Sequence, residues 1–417
     1  MRHIYSFLFY CALPLLFARL WWKSKKTPDY RLRWSERLGF IPYLPGEHSI
    51  WIHAVSMGEM IAAKPLIVAL REKYPDQMLV ITTTTVSGSL MASQLVDEKT
   101  FHYYLPYDTS GAINRFLNRT KPIQAIIMET ELWPNLLHFV AKRNIPILLA
   151  NARLSEISMK SYLKITALVR PMLAHITCIA AQTQQDADRF MQLGAKPAQI
   201  HILGNIKFDV PLPLALIEKG KALRQSWDAN RPTVIAASTH PGEEDIVLEA
   251  FAQLLKKQPD TLLILVPRHA ERANDIADLC QKKALSIVRR TQNQPCLPQT
   301  NVFLGDTMGE LFLYYAAADV AFVGGSLVRI GGHNLLEPAA LGLPVITGPY
   351  VFNFTEIFNQ LHRAGATLNV LNSSDLYQAW AELINDPQYR KKIGSAGKTV
   401  VEENRGAVER HLNHLNL

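Results

Sequence analysis

Residues 56–59 have the types and the spacing that acid–base chemistry needs. The run Ser56-Met57-Gly58-Glu59 comes directly after an aliphatic stretch that predicts a strand and before a stretch that predicts a helix. A serine three residues before a glutamate is also a capping box, which needs no functional role. The alternative is that Glu59 is a general base that accepts a proton from a bound hydroxyl. Because a helix N-terminus favours the ionised carboxylate, a neighbouring group would then have to raise the pKa of Glu59.

Two further polar segments follow predicted strands in the first half of the chain. Glu129 and Glu131 come at the end of one strand, just before the Trp-Pro pair at 133–134, which favours a helix start. Two carboxylates in such a place are costly unless they are solvated or used. Lys207 lies in the run GNIKFD (204–209). It can face a bound anion, or it can be a solvated lysine at a hinge.

The second half has polar, glycine-containing segments directly after its predicted strands. Pro267 and Arg268 follow one strand, the run DTMGE (306–310) follows another, and GGHNLLEP (331–338) comes after a third. A glycine-rich turn that leads into a helix N-terminus binds anions readily, and Glu337 can instead accept hydrogen bonds from ribose hydroxyls. Several such segments in one domain predict a nucleotide site.

The chain lacks the signatures of several common enzyme classes. It contains no G-x-G-x-x-G and no G-x-x-x-x-G-K-[ST], which argues against a nicotinamide enzyme and a P-loop phosphotransferase. It also has no HExxH and no G-x-S-x-G. The thirteen histidines and four cysteines show no metal-ligand spacing. We therefore expect neither a metal nor a cofactor.

Short aliphatic runs alternate with helical patterns along the 417 residues, as expected of strands buried on both faces in parallel sheets. This predicts an α/β protein of two Rossmann-like doubly wound domains that face each other across a cleft. Ten strands are predicted, at 50–55, 78–84, 125–129, 147–150, 176–181, 234–237, 262–266, 302–304, 320–323 and 345–347. Helices are predicted at 60–74, 111–118, 184–193, 243–257, 375–385 and 389–415. The proline-marked segment 210–232 predicts a boundary between domains at 41–210 and 211–417.

Residues 1–40 form a separate apolar and basic segment. Residues 4–22 are nearly all apolar, and Trp21 and Trp22 precede the run KSKK at 23–26. Tryptophans at the headgroup level and lysines on the cytoplasmic side predict membrane attachment, with anionic lipid as a partner. A spanning helix and an in-plane helix both fit, and the alternative is a buried helix of the fold. Eight basic and two acidic residues here supply +6 of the net charge of +8, which argues against nucleic acid as a partner.

Taken together and in this order, these segments resemble the 3-deoxy-D-manno-octulosonic acid (Kdo) transferases, inner-membrane enzymes of lipopolysaccharide assembly. The resemblance extends from the N-terminal apolar segment to at least residue 354. Leu335 and Tyr350 depart from the family pattern, in which proline and histidine are usual. The motifs that carry the resemblance are RWSERLG (33–39), HAVSMGE (53–59), METELWPN (128–135), NARLS (151–155), GNIKFD (204–209), ASTHPGEE (237–244), LVPRHAER (265–272), GDTMGEL (305–311), FVGGSL (322–327), GGHNLLEPAALGLPV (331–345) and GPYVFNF (348–354).

The resemblance implies a GT-B glycosyltransferase whose N-terminal domain binds the lipid A precursor and whose C-terminal domain binds CMP-Kdo. Glu59 matches the proton acceptor of the family, and Glu129 and Lys207 match groups that stabilise the transition state. An inverting transfer needs a base on the acceptor side, opposite the leaving CMP, and cationic groups can offset the charge that grows there. The residues that match CMP-contacting positions are Pro267, Arg268, Met308, Gly309, Glu310, Asn334, Leu335, Leu336 and Glu337.

Two other functions remain open at this point. One is another nucleotide-sugar transferase or epimerase of the same architecture, which the METELWPN and GGHNLLEP motifs disfavour. The other is a non-enzymatic scaffold at the membrane surface, which would leave Glu59, Glu129 and Lys207 without a shared role.

Overall fold

The computed structural model describes residues 1–415, which divide into two compact units. The first comprises residues 1–209 together with the residues from Arg405 onward, and the second comprises residues 210–404. The sequence predicted that all residues after 210 belong to the second domain. This prediction is wrong for the C-terminal residues, which belong to the first unit. The predicted helix at 389–415 is in fact interrupted at Gly406, whose φ of 84° lies in the left-handed region that favours glycine.

The first unit contains a seven-stranded sheet in which every pairing is parallel. The strand order is β3-β2-β1-β4-β5-β6-β7, which reverses direction between β1 and β4, as in a doubly wound fold. The strands are β1 Ser49–His53, β2 Met78–Thr83, β3 Thr100–Tyr104, β4 Pro122–Met128, β5 Ile147–Ala152, β6 Cys178–Ala181 and β7 Ile200–Ile202.

Helices cover this sheet and bury its aliphatic side chains, because the central strands carry apolar residues on both faces. They are α1 Arg2–Lys23, α2 Trp34–Arg37, α3 Met57–Lys73, α4 Val86–Ser93, α5 Ser110–Thr120, α6 Pro134–Ala141, α7 Glu156–Leu163, α8 Thr166–Ala174 and α9 Gln184–Leu193. Among the described residues, α1 is the one helix long and apolar enough to cross a membrane, and 6% of its apolar window is buried. The alternative of a buried core helix is therefore wrong.

The second unit contains another parallel seven-stranded sheet, with the order β10-β11-β9-β8-β12-β13-β14. Its strands are β8 Thr233–Thr239, β9 Leu262–Pro267, β10 Ile287–Arg289, β11 Val302–Leu304, β12 Val320–Val323, β13 Val345–Thr347 and β14 Thr367–Asn369. Its helices are α10 Leu214–Ser226, α11 Glu243–Leu255, α12 Ala273–Lys282, α13 Leu311–Ala316, α14 Leu336–Ala340, α15 Thr355–Arg363, α16 Ser373–Asn385 and α17 Pro387–Asn404.

Helix α17 packs closely against the turn that follows α14. A Cβ atom on Gly394 would lie 1.9 Å from the carbonyl oxygen of Gly342, so only glycine fits there. A Cβ on Gly397 would make ordinary contacts of 3.4 Å with the Cβ atoms of Ala339 and Ala366. The two glycines are three residues apart on one helix, and only the first is sterically required.

The chain then returns to the first unit through α18 Ala407–Leu412. The carboxylate of Asp209 accepts the N–H groups of Gly406 at 2.6 Å and Val408 at 2.5 Å, which fixes the start of this helix. Burial lowers the pKa of His411 to about 4, so its ring is neutral. Its Nδ1–H donates to the carbonyl of Ala407 at 2.6 Å, and its Nε2 accepts the N–H of Asn151 at 3.0 Å.

Candidate active site

Glu59 lies in the first turn of α3, shortly after β1, and its carboxylate is held by the two residues that directly precede the helix. The Ser56 hydroxyl oxygen accepts the backbone N–H of Glu59 at 3.4 Å and donates its own proton to Oε1 at 3.1 Å. Oε2 accepts the N–H of Val55 at 2.8 Å. The predicted capping interaction is therefore present, although the glutamate reaches back to Val55 rather than to the N–H of Ser56.

The environment of Glu59 opposes ionisation despite these hydrogen bonds. Burial raises the pKa of Glu59 to about 7, and the charges of Glu131 and Glu129 act in the same direction. The Val55 N–H and the Ser56 hydroxyl lower the pKa but do not offset the burial. A carboxyl group with a pKa near neutrality accepts a proton far more readily than an ordinary glutamate.

Glu129 follows β4 and carries a backbone strain that the sequence did not indicate. Its φ of 55° places a non-glycine residue in the left-handed region. Its Oε2 accepts a hydrogen bond from Nε of Arg153 at 2.9 Å, and its Oε1 lies 3.9 Å from Nζ of Lys207. Its neighbour Glu131 accepts the indole N–H of Trp133 at 2.7 Å. Burial raises the pKa of Glu131, and the charge of Glu129 adds to the effect.

Lys207 is anchored within the first unit. It sits in a 3-10 turn at Ile206–Phe208, and its backbone N–H donates to Oδ1 of Asn205 at 3.0 Å. The backbone N–H of the preceding residue, Ile206, donates to Oδ1 of Asn151 on β5 at 3.0 Å. Because its ammonium faces Glu129 and its side chain is 21% exposed, Lys207 is not a freely solvated lysine.

The first unit thus brings Glu59, Glu129, Glu131 and Lys207 to the carboxyl ends of its strands. Sequence reasoning missed Arg153, the strongest cationic contact of Glu129. Its signal was available, since the NARLS run begins inside β5 and places Arg153 directly after that strand, next to β4.

In the second unit, a buried carboxylate organises the glycine loop that follows β12. Glu243, fully buried at the start of α11, accepts the N–H groups of Gly325 at 2.7 Å, Ser326 at 3.0 Å and Leu327 at 2.9 Å. It also accepts the N–H of His240 at 3.0 Å. Sequence reasoning missed this residue, although it lies in the ASTHPGEE motif, because its role depends on donors more than 80 residues away.

Two histidines join the loops after β8 and β12. Nε2 of His240 lies 2.8 Å from Nε2 of His333, so one ring donates to the other. The ring of His269, from the loop after β9, lies 5.9 Å from that of His240. Burial lowers the pKa of both His240 and His333, the latter to about 4. Neutral rings can share the single proton that this contact requires.

The residues predicted to contact CMP follow three strands of this sheet: the neighbouring β9 and β11, and β12, which is separated from β9 by β8. Pro267 ends β9, and the exposed Arg268 donates its N–H to the carbonyl of Thr239 at 3.0 Å. After β12, Asn334 donates its side-chain amide to Glu337 at 3.1 Å and accepts the N–H of Leu336 at 3.1 Å. Burial raises the pKa of Glu337.

Most of the apolar residues predicted to contact CMP can offer a ligand only their backbone atoms, and Met308 is the exception. The side chains of Leu335 and Leu336 are fully buried in the unit. Met308 is 68% exposed, and Gly309, with a φ of 80°, has open space where a side chain would be. Any ligand contact at these four residues other than Met308 therefore involves main-chain atoms.

Glu310 is engaged in an ion pair within the second unit. Its carboxylate accepts two hydrogen bonds from Arg290, at 3.0 and 3.1 Å, and one from the hydroxyl of Thr307 at 2.6 Å. The Arg290 hydrogen bonds, followed by that of Thr307, lower the pKa of Glu310 to about 2. Thr307 and Glu310 have the spacing of a capping box, but they do not form one, because α13 begins only at Leu311.

No group of three or more His, Cys, Asp or Glu side chains within residues 1–415 is arranged to hold a metal ion. The cationic side chains beside Glu129 are Arg153 and Lys207.

Two doubly wound, parallel α/β units with charged loops at the carboxyl ends of their strands define the GT-B fold class. Residues 243–400 match the family described as glycosyl transferases group 1. A UDP-GlcNAc 2-epimerase from Neisseria meningitidis has the same fold, with a TM-score of 0.52 and 17% sequence identity over 85% of this chain and 98% of that chain.

More specific matches distinguish the chain within that class. Residues 32–210 match the family described as 3-Deoxy-D-manno-octulosonic-acid transferase (kdotransferase). The chain is 45% identical to a 3-deoxy-D-manno-octulosonic acid transferase of Haemophilus influenzae, over 99% of this chain and 98% of that protein. It is 34% identical to the corresponding transferase of Bordetella pertussis over the same shares. The chain therefore belongs to the Kdo transferase family.

Proposed function

We propose that this glycosyltransferase moves Kdo from CMP-Kdo to a hydroxyl group of the lipid A precursor, with inversion at the sugar carbon, in lipopolysaccharide assembly. The acceptor is bound by the first unit and the donor by the second. The enzyme works without a metal, at the cytoplasmic side of the inner membrane, where the acceptor lipid resides.

The environment of Glu59 is the observation that carries this proposal. A sugar-hydroxyl acceptor must lose a proton as it attacks, and an ordinary glutamate is too weak a base to take it at neutral pH. Burial of Glu59 beside Glu129 and Glu131 raises its pKa to about 7, so it is both ionised in part and usefully basic. It also lies after β1, beside the point between β1 and β4 where the strand order reverses, and ligands of open parallel α/β sheets bind at such points.

Besides a base, the reaction needs cationic groups near the leaving group, since CMP leaves with growing negative charge. Nζ of Lys207 is 3.9 Å from the carboxylate of Glu129, which positions it, and the exposed Arg268 follows β9 in the second unit. Such preorganised charges stabilise a transition state more than they stabilise the ground state. Glu129 acts here by positioning Lys207 and Arg153.

The transfer assay uses purified full-length protein with lipid A precursor and CMP-Kdo generated in situ, and lipid products are read by mass. Wild type and Glu72→Gln, an exposed glutamate of the same helix, should give Kdo-bearing lipid, whereas Glu59→Gln should give none. The mass also counts the sugars added. If Glu59→Gln forms product at the wild-type rate, Glu59 is not the general base.

A thermal-shift measurement tests the donor separately. CMP should raise the melting temperature of wild type and Glu59→Gln equally, because the proposed base takes no part in nucleotide binding. UDP should leave the melting temperature of both proteins unchanged. Stabilisation by UDP alone would refute CMP-Kdo as the donor.

A further inference from the structure

The N-terminal helix α1 has two different faces along its whole length. Residues on one face pack against the first unit and are half-buried or buried, as at Ser6, Phe9, Phe17 and Leu20. Exposed residues recur every three or four positions on the other face, which matches the helical period. The exposed apolar residues of that face are Ile4, Phe7, Leu8, Cys11, Leu15, Ala18 and Trp22. A helix that exposed this face to water would carry polar residues on it and apolar residues on the face packed against the protein.

Contacts with the first unit begin at the first turn of α1 and continue past its last. At the start, Arg2 and Ser6 both donate to Oδ1 of Asn135, at 3.0 and 2.9 Å. Further along, the ring of Phe17 lies 5.2 Å from that of Trp34. The hydroxyl of Ser24, directly after the helix, accepts a hydrogen bond from Arg31 at 2.7 Å.

These contacts are incompatible with a membrane span. A helix of 22 residues is about 33 Å long and the hydrocarbon core is about 30 Å thick, so a span would leave less than one turn outside it. The polar groups that α1 touches would then lie at membrane depth. Among them is Asn135, whose own N–H donates to the buried carboxylate of Asp108 at 3.0 Å. Placing such groups in hydrocarbon is expensive.

We propose that α1 does not cross the bilayer but lies in its plane, with the face from Ile4 to Trp22 inserted among anionic lipids and the opposite face docked on the first unit. The face ends in Trp21 and Trp22, which suit the headgroup level. This rests on the proposed function only in that the acceptor is a membrane lipid.

The charge of the segment identifies the occupant as lipid rather than a second copy of the chain. Residues 1–28 contain five basic residues and no acidic one. The basic residues lie at both ends of α1, at Arg2 and from Arg19 to Lys26. Pairing two copies of this face would bring like charges together in either orientation, whereas an anionic bilayer neutralises them.

Adjacent positions on α1 provide the test. A span would put them at nearly the same depth, whereas in an in-plane helix they point about 100° apart, one toward the lipid and one toward the protein. Cys11 is exposed and Ala12 is half-buried against the unit. The native Cys11 of one protein, and the new cysteine of a Cys11→Ser/Ala12→Cys protein, are labelled with an environment-sensitive fluorophore. Both proteins are reconstituted in vesicles of phosphatidylethanolamine and phosphatidylglycerol that contain spin-labelled lipid.

The in-plane helix predicts that quenching is several-fold stronger at position 11 than at position 12. It also predicts equal depth for labels at Ile4→Cys, Cys11 and Ala18→Cys. Similar quenching at 11 and 12, with position 11 deeper than 4 and 18, would establish a span and overturn the proposal. Absence of quenching at all of these positions would overturn it as well.

A topology measurement in cells is independent of the vesicles. In a Cys11→Ser background, His3→Cys should resist a membrane-impermeant maleimide in intact spheroplasts and react after permeabilisation, as should Glu271→Cys in the exposed body. Labelling of His3→Cys alone in intact spheroplasts would show that α1 spans. Lipid transfer is assayed in the same preparations. A spanning helix with full transfer refutes only the in-plane arrangement, and an in-plane helix without transfer refutes only the proposed function.

Discussion

Replacing Glu59 with glutamine should abolish transfer and at the same time stabilise the protein, by an amount that depends on pH. The folded structure raises the pKa of Glu59 from 4.5 to about 7, chiefly by burial. A raised acid pKa means that the folded state holds the proton more tightly than the unfolded chain does. The ionised side chain therefore costs folding free energy, and glutamine, which has a similar shape and no charge, avoids the cost.

The sign and size of this difference in unfolding free energy follow from the linkage between proton binding and folding. Below pH 4.5 the carboxyl group is protonated in both states and the two proteins should be equally stable. As the pH rises toward 7, the unfolded chain releases the proton first and wild type loses stability. A shift of about 2.5 pKa units corresponds to an upper limit of roughly 3 kcal/mol at pH 8, and to less than roughly 1 kcal/mol at pH 5. Residual solvent contact of this half-buried side chain reduces both values.

Urea unfolding in detergent at pH 5 and pH 8 measures this difference. The gap between Glu59→Gln and wild type should widen with pH, while Glu72→Gln, an exposed change on the same helix, should follow wild type at both values. In the same pH series, kcat/KM of wild type should rise through pH 7 and then level off, since the free base is the active form. A stability gap that is independent of pH, or one that favours wild type at pH 8, would contradict the burial argument.

Three further changes have defined outcomes. Glu243→Gln puts an amide among four backbone donors and should destabilise the second unit by roughly 1–3 kcal/mol and weaken CMP protection in thermal unfolding, whereas the exposed Glu249→Gln should do neither. Gly394→Ala meets a carbonyl oxygen 1.9 Å away and should lower the melting temperature by several degrees, whereas Gly397→Ala should leave it nearly unchanged. Lys207→Met should reduce kcat by on the order of 10²-fold with CMP protection intact, and an unchanged kcat would remove it from the transition state.

The sequence predicted the centre of each sheet better than its edges. All ten predicted strands are present, because central parallel strands are continuous aliphatic runs. The four missed strands are mixed in composition, and each lies at the edge of its sheet: β3, β7, β10 and β14. An edge strand needs less apolar surface, so its residues resemble a loop. The return of α18 to the first unit was also hidden, since it depends on contacts with Asp209 and Asn151 rather than on any local pattern.

The candidate site was predicted as a set of residues but not as a set of interactions. Spacing indicated a capping role for Glu59, and the structure adds the burial that raises its pKa. Spacing could not separate Glu129 from Glu131. In the structure, Glu129 bonds Arg153 and faces Lys207, while Glu131 accepts only the indole of Trp133 among its side-chain hydrogen bonds in the described residues. Such differences arise from which loops meet, which a linear pattern does not contain.

Backbone strain gives the clearest reason why the site depends on the whole first unit. Glu129, directly after β4, and Asn151, near the end of the neighbouring β5, have φ values of 55° and 52°. This conformation costs roughly 1–2 kcal/mol for a residue such as glutamate and less for asparagine, which adopts it more readily. Long-range contacts offset that cost: Arg153 and Lys207 act on Glu129, and His411 accepts the N–H of Asn151 across 260 residues of sequence. The side-chain oxygen of Asn151 also accepts the N–H of Ile206, which belongs to the 3-10 turn that carries Lys207. The C-terminal helix therefore helps to hold the strand end from which the lysine and the strained glutamate are positioned, and this explains why the chain returns to its first unit after completing its second.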